Sequence, residues 1–357
     1  MVTYSLIQKS QLEGAHRMDA EYYQPLYLEI VNNLNRIKAI PIYDIATNPK
    51  RKFQPVEGEI FNYIEISEVD LSTGEYNKYK ILGEDAPDRA QWIVKQNDII
   101  ISTVRPIRNA VSLINEDSNN LVASSGFAVL RTKEIEPEYL FVYLKTKPIV
   151  LLLDRLTTAT MYPAVTTDDI LNTKIYLSSD NFRKDIKAKV IESQKELAKS
   201  RILYSQAESL LLEELGLKDF KPKDELSYVV NLSEAKSFHR IDAEYFQTKY
   251  DKLISKIKSQ NSKILGKIVT MKKGIEPGSE EYQDEGKLFI RVSSITKNGI
   301  IDKDQKYLSN ELYDELKNNF EPKVGEILLT KDATPCIAYV IKEPIEGIIP
   351  SGILRLE

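Results

Sequence analysis

The chain has 357 residues, room for two domains that each bury a core, and its 42% hydrophobic and 29% charged content is that of an ordinary globular protein. The single cysteine, Cys336, excludes an internal disulfide and fits a reducing cytoplasm; with only two histidines beside it, the composition argues against a Cys/His zinc site. A net charge of −4 argues against indiscriminate binding to polyanions but leaves room for a local basic face.

The opening residues carry no basic region followed by an apolar core, so no secretory leader is expected. No apolar run approaches the ~18 residues of a membrane span.

In chain order, the first motif is His16-Arg17-Met18-Asp19-Ala20-Glu21-Tyr22-Tyr23-Gln24. It returns as His239-Arg240-Ile241-Asp242-Ala243-Glu244-Tyr245-Phe246-Gln247, with seven of nine positions identical at a spacing of 223 residues. So long a period means repeated domains, because solenoid repeats run roughly 20–50 residues. Both histidines lie in the two copies, and a general base is one reading of them. Neither has a Ser or Cys nucleophile in a recognisable motif, so the simpler reading is structural. Asp19 or Glu21 satisfies N–H groups where a helix starts, Arg17 pairs with them, and the tyrosines pack inward.

An amphipathic helix follows each copy. Tyr23, Leu26, Tyr27, Ile30, Val31 and Leu34 have helical spacing, as do Phe246, Tyr250, Leu253, Ile254 and Ile257. Short β-branched runs come next and read as strands. Phe61–Ser67 answers to Leu288–Ser294, Asn97–Thr103 to Gly325–Lys331, and Ser125–Arg131 to Ser351–Glu357. Each unit is therefore α+β, a leading helix and then a mostly antiparallel sheet.

Between the units, Phe182–Leu215 contains neither Gly nor Pro, and Val190, Leu197, Tyr204 and Leu211 recur every seven residues. Ser193, Ser200 and Ala207 fall between them. This is the pattern of a coiled-coil-type spacer helix whose small residues admit a close partner, and Gly216 stands where a C-terminal cap belongs. An ordinary helix packed on its own domain is the alternative. The expected domains are 1–180, a spacer helix 181–217, and 218–357. Since Glu357 aligns with Arg131, nothing in the second unit answers to Glu134–Leu215. That unit is expected to be incomplete at its C-terminus, with an unpaired strand edge, Ile353 and Leu356 uncovered, and less order than the first.

No phosphate-binding loop, dinucleotide turn, nucleophile elbow or metal helix occurs. The polar loops carry the chemistry instead. Ser102-Thr103-Val104-Arg105-Pro106-Ile107-Arg108-Asn109 offers two arginines, two hydroxyls and an amide after a strand. Arginine reads guanine edges, asparagine reads adenine, and hydroxyls take base or phosphate. Lys50-Arg51-Lys52 is a basic cluster suited to phosphate. Lys272 and Lys273 answer to it in the second unit, and Lys331 and Thr334 belong to the loop answering the first polar loop. Arg291 lies beside the second unit's matching strand. Equivalent loops with different side chains suit one scaffold carrying two specificities.

These residues together resemble the specificity (S) subunits of type I restriction–modification systems. The resemblance rests on Arg17–Tyr23, on Asn97–Pro106, on Ser124-Ser125-Gly126-Phe127, and on Tyr162–Ile170 (Tyr-Pro-Ala-Val-Thr-Thr-Asp-Asp-Ile), taken with the duplication and the spacer. It covers nearly the whole chain. It implies two target-recognition domains, each reading half of a split site in double-stranded DNA, and a non-catalytic role. It implies docking of two adenine methyltransferase subunits through the spacer, with Val190, Leu197, Tyr204 and Leu211 as the contact seam, and of restriction/translocase subunits. Cofactors are expected on the partners only, S-adenosylmethionine and ATP. A spacer of 34 residues would be about 50 Å long, enough to serve half-sites about one DNA turn apart. The alternative from another class is a scaffold that holds two protein partners without binding DNA.

Overall fold

The computed structural model describes residues 4–157, 162–222, 225–297, 299–301 and 305–357. The chain divides into two compact units, Met1–Ser200 and Arg201–Glu357, with the division inside one long helix.

The first unit opens with α1 (Lys9–Ala15) and α2 (Pro25–Arg36), then β1 (Ile40–Pro41), the single turn α3 (Ile42–Ile45) and β2 (Ala46–Thr47). Seven strands follow: β3 (Ile60–Ile64), β4 (Tyr79–Leu82), β5 (Ala90–Ile93), β6 (Asp98–Ser102), β7 (Val111–Leu113), β8 (Leu121–Ser124) and β9 (Phe127–Thr132). The helices α4 (Pro137–Lys145), α5 (Lys147–Arg155) and α6 (Thr167–Asn172) precede β10 (Lys174–Ile175). Two four-stranded sheets form, ordered β2-β9-β6-β7 and β4-β3-β8-β5. Every pairing in them is antiparallel except β3 with β8, which is parallel and joins Tyr63 to Val122. A separate pair, β1 with β10, sets Ile40 opposite Ile175.

The register explains the run Ile99-Ile100-Ile101. Alternate side chains leave a strand on opposite faces. Ile99 and Ile101 join the core under α4 and α5, with Leu140, Leu144, Leu152 and Leu153. Ile100 points the other way, into a core shared with Ile64, Leu121, Ala123 and Phe127. Both faces of β6 are covered, so its sequence is continuously apolar rather than alternating. Each such side chain contributes about 1.5–3 kcal/mol on burial.

The long helix α7 runs Asp180–Glu214, and none of its residues is buried. It ends as Gly216 predicts. That residue has φ 63°, and Leu217 N–H donates to the Leu212 carbonyl at 2.7 Å, the bond pattern of a left-handed helix stop.

The second unit repeats the plan. It contains α8 (Leu232–Phe238), α9 (Thr248–Lys258), β11 (Met271–Lys273), β12 (Lys287–Phe289), β13 (Ile295–Thr296), β14 (Gly299–Ile300) and β15 (Lys306–Leu308). After α10 (Asn310–Phe320) come β16 (Ile327–Thr330), β17 (Ala338–Val340), β18 (Gly347–Ile348) and β19 (Ile353–Leu356). The sheet β11-β19-β16-β17 has the order of β2-β9-β6-β7, and β12 pairs with β18 in parallel as β3 does with β8. The helices α8 and α9 begin 223 residues after α1 and α2, so the spacing of the motif is the spacing of the elements.

One expectation is corrected here. Ile353 and Leu356 are buried, and β19 is an inner strand. It is covered on one edge by β11, where Met271 faces Leu356, and on the other by β16. Sequence comparison of the two copies missed this because β11 is short and basic and does not read as a strand.

Candidate nucleic-acid interface

The duplicated motif is a structural clasp. His16 and His239 are the C-caps of α1 and α8, with φ 53° and 52°, and both are exposed. Each closes a helix in the left-handed region. Arg17 forks onto Asp19 at 2.8 and 2.7 Å, and Arg240 onto Asp242 at 2.7 and 2.9 Å. The hydrogen bonds from these arginines hold both carboxyls below the usual aspartate range. Tyr23 is buried behind the first clasp.

The three phrases Asn97–Pro106, Ser124–Phe127 and Tyr162–Ile170 converge at the end of β6. Thr103 N–H donates to the Gly126 carbonyl at 2.9 Å. Val165 N–H donates to the Thr103 carbonyl at 2.9 Å, and Arg105 N–H to the Pro163 carbonyl at 2.6 Å. Gly126 lies close under Ile66: a Cβ there would be 2.5 Å from Ile66 Cδ1, so that side chain would have to move aside. The segment before Ala164 thus runs beside the polar loop and sets the Tyr162 ring 5.6 Å from the Arg105 guanidinium.

The loop sorts its own side chains. Ser102 is buried and its hydroxyl donates to the Val104 carbonyl at 2.8 Å. The Thr103 hydroxyl donates to the Gly126 carbonyl at 3.0 Å, and the Asn109 amide to the Lys145 carbonyl at 3.0 Å. These three build the loop: the Ser102 and Thr103 hydroxyls and the Asn109 NH2 are committed to main-chain carbonyls, and the Asn109 Oδ1 is buried without a hydrogen-bond partner among the described residues. Arg105 and Asn109 both take left-handed backbone, φ 50° and 59°. The apex between them presents Arg105, on its tyrosine, and the exposed Ile107 and Arg108. A planar guanidinium seated on an aromatic ring, with no side-chain hydrogen bond among the described residues, is suited to a base edge or a phosphate.

The basic cluster divides as well. Lys50 and Lys52 are exposed, but Arg51 turns inward to the fully buried carboxylate of Asp98. Arg131 holds the other oxygen of Asp98 at 2.7 Å, and the Lys95 N–H donates at 2.7 Å to the oxygen that Arg51 binds. Arg51 is therefore a buried-charge partner at the start of β6, while the polar loop lies at its end, about 13 Å away for a five-residue strand. Sequence reading placed Arg51 with its lysine neighbours because charge alone does not reveal a buried partner.

The second unit carries the same frame with other side chains. Glu326 replaces Asp98: it accepts from the Lys323 N–H at 2.8 Å and pairs with Arg355 at 3.2 Å. Thr330, buried at the end of β16, replaces Ser102, and Lys331 N–H donates to the Gly352 carbonyl at 3.0 Å as Thr103 does to Gly126. Ala333 and Cys336 take the two left-handed positions, φ 57° and 69°. Lys331 lies 3.6 Å from Asp332 and Thr334 is exposed. Lys272 pairs with Glu357 at 2.9 Å, Lys273 is exposed on β11, and Arg291 is half-buried just after β12.

The seam of α7 is used unevenly. Val190 packs on the first unit's own core, which corrects its assignment to a partner. Leu197 is half-buried. Tyr204 lies under the Lys297 ammonium at 4.9 Å, steadied by Lys297 on Glu208 at 2.9 Å. Leu211 is exposed, beside Leu203 and Leu210. Sequence reading missed Leu203 and Leu210 because they lie one residue off the seven-residue series. Among the described residues no group of His, Cys, Asp and Glu could hold a metal, and no helix is long and apolar enough to cross a membrane.

No family model matches the chain, and no curated protein matches it. Solved structures do. The chain is similar to one described as the structural basis underlying complex assembly and conformational transition of the type I R-M system, and to the HsdS subunit from Thermoanaerobacter tengcongensis. Each is 22% identical, with a TM-score of 0.40 over 89% of this chain and 74% of that one. It is also similar to the type I restriction–modification system S subunit from M. genitalium, at 16% identity and a TM-score of 0.35 over 89% of this chain and 71% of that one.

Proposed function

We propose that the chain is a non-catalytic reader of a bipartite DNA site, the specificity subunit of a type I restriction–modification complex. The observation that supports this best is the pair of equivalent loops after β6 and β16. They share backbone form, capping bonds and position, yet the first carries Arg105 where the second carries Ala333, and Thr103 where the second carries Lys331. A duplicated frame with divergent apices fits two half-sites read by one scaffold. In this reading Arg105 and Arg108 reach base edges, Lys50 and Lys52 meet phosphate, and Lys273, Arg291, Lys331 and Thr334 serve the second half-site. The exposed stripe Leu203, Leu210 and Leu211 on α7 takes the methyltransferase subunits, which carry S-adenosylmethionine; the restriction subunits carry ATP. The assembly works in the cytoplasm.

The test is DNA binding by the complex assembled with its methyltransferase partner. Arg105→Ala should relax or abolish recognition of one half-site, at a cost of roughly 1–3 kcal/mol. Replacing Lys50 and Lys52 with Ala should instead weaken binding to every sequence and flatten its salt dependence. Equal losses on specific and random DNA for Arg105→Ala would remove the base-reading role. Assembly with partners but no DNA binding would favour the scaffold.

A further inference from the structure

Arg89 belongs neither to the basic cluster nor to the polar loop, and it lies between them. It is the third residue of the turn Pro87–Ala90, closed by the Ala90 N–H donating to the Pro87 carbonyl at 2.8 Å, and the turn leads into β5. Toward the loop, the Arg89 carbonyl accepts from the Ser125 N–H at 2.7 Å, and the next residue, Gly126, gives its carbonyl to the Thr103 N–H at 2.9 Å. β5 starts where β8 ends, with Ala90 opposite Ser124, and β9 starts where β6 ends, with Phe127 opposite Ser102. The turn Ser125-Gly126 therefore stands between Arg89 and the polar loop, and two strand spacings set their main chains roughly 10 Å apart. Toward the basic cluster, Lys52 pairs with Trp92 on the outer edge of β5, three residues along from Arg89 and again roughly 10 Å away. Lys52, Arg89 and the loop that carries Arg105 follow one another along this side of the unit.

The Arg89 side chain is uncommitted. It is exposed and makes no hydrogen bond or ion pair among the described residues, not even with Asp88, which is exposed in the same turn. Its neighbours differ: Arg51 and Arg131 are taken by Asp98, and Arg105 has the Tyr162 ring at 5.6 Å to fix its plane. Two parallel bonds to a base edge need a guanidinium held in one plane, and holding a free one there costs side-chain entropy. A phosphate makes no such demand, because its oxygens accept from many directions. The second unit offers no counterpart. Its matching sheet, β15-β12-β18, has no strand beyond β18 among the described residues, and α10 occupies the stretch of chain between β15 and β16 where β5 lies between β4 and β6.

We propose that Arg89 binds a DNA phosphate at the first half-site, between the phosphate contact of Lys52 and the base contact of Arg105. This assignment rests on the DNA-reading function proposed above. It adds a backbone anchor from the second sheet of the unit, one that fixes the position of the polar loop on the duplex and carries no sequence information itself. The major groove is about 12 Å wide, so a group roughly 10 Å from one that reaches base edges lies over the phosphates at the groove's rim.

The experiment uses the full chain assembled with its methyltransferase partner, and measures binding to a duplex carrying the methylated motif and to a random duplex over a series of salt concentrations. Arg89→Ala should weaken binding to both duplexes about tenfold at low salt and reduce the slope of log affinity against log salt by about one. Arg89→Lys keeps the charge and should restore most of the affinity and the slope. The position is exposed, so an unchanged melting temperature checks that each variant is folded. Native affinity and slope in Arg89→Ala would overturn the proposal. So would a loss confined to the specific duplex, which would make Arg89 a base reader, or a lysine variant as weak as the alanine one. No DNA binding by the unaltered complex would remove the DNA reading itself, whereas tight binding that Arg89→Ala leaves intact removes this contact alone.

Discussion

Lys145 shows how a single side chain can support the candidate interface from behind. Its ammonium donates to the Leu71 carbonyl at 3.0 Å and reaches the Asn109 carbonyl at 3.5 Å, while its own carbonyl takes the Asn109 amide. It thus ties the polar loop to a neighbouring turn, at the cost of burying a charge over the Phe141 ring. Burial pushes its pKa down from 10.5 to about 8, only partly opposed by Asp70. Between those values the unfolded chain holds more protons at this position than the folded one, so stability from this residue rises with pH from about 8 to 10.5. Lys145→Met should remove the rise. The difference between the two stability curves, measured by denaturant unfolding, should be flat below pH 8 and then climb by at most about 1.4 kcal/mol per pH unit. Parallel curves across that window would show that the ammonium stays solvated. None of this was legible in the sequence, where Lys145 is one more lysine near the end of an amphipathic helix. Arg51 makes the same point with the opposite sign: three adjacent basic residues look alike until Asp98 is found beneath one of them.

Helices and strands were easier to read than their partners. The heptad spacing and the lack of Gly and Pro located α7, and Gly216 marked its stop, because a helix writes its limits into local sequence. Gly216 tests that directly. A Cβ there meets nothing closer than Lys256 Cε at 3.5 Å, so Gly216→Ala should cost only the strain of the left-handed backbone, about 1–2 kcal/mol. Thermal melting of the full chain checks it, and an unchanged melting temperature would mean that α7 ends elsewhere in solution. Strand pairing is not local in this way. The alternation in Phe61–Ser67 announced a strand but not that β3 pairs in parallel with β8, 59 residues further on, with the connection passing through four other strands. Nor did period-seven spacing tell which face of α7 would stay open. Val190 belongs to the series and is consumed by its own unit, while Leu203 and Leu210 lie one residue off it and remain exposed.

At the scale of the molecule, the duplication governs what can be exchanged. If each unit reads its own half-site, replacing residues 41–180 by the matching part of a relative should change one half of the methylated motif and leave the other alone. Sequencing of methylated bases in cells carrying the hybrid reports both halves at once, and a change in both would mean that the units do not read independently. The pairing of β1 with β10 bears on how such hybrids arise. Ile40 and Ile175 are 135 residues apart in sequence and face each other across one ladder, about 5 Å apart. The intervening chain leaves and returns at a single point, and β2 meets β9 just beyond it. A recombination event that replaces everything between keeps this main-chain seam whatever the side chains, and needs to preserve the apolar fit of Ile30, Val31, Leu34, Ile186 and Val190 on the exchanged core. In evolutionary terms the unit is a cassette, and if each unit reads its own half-site, gene conversion brings new combinations of half-sites within reach.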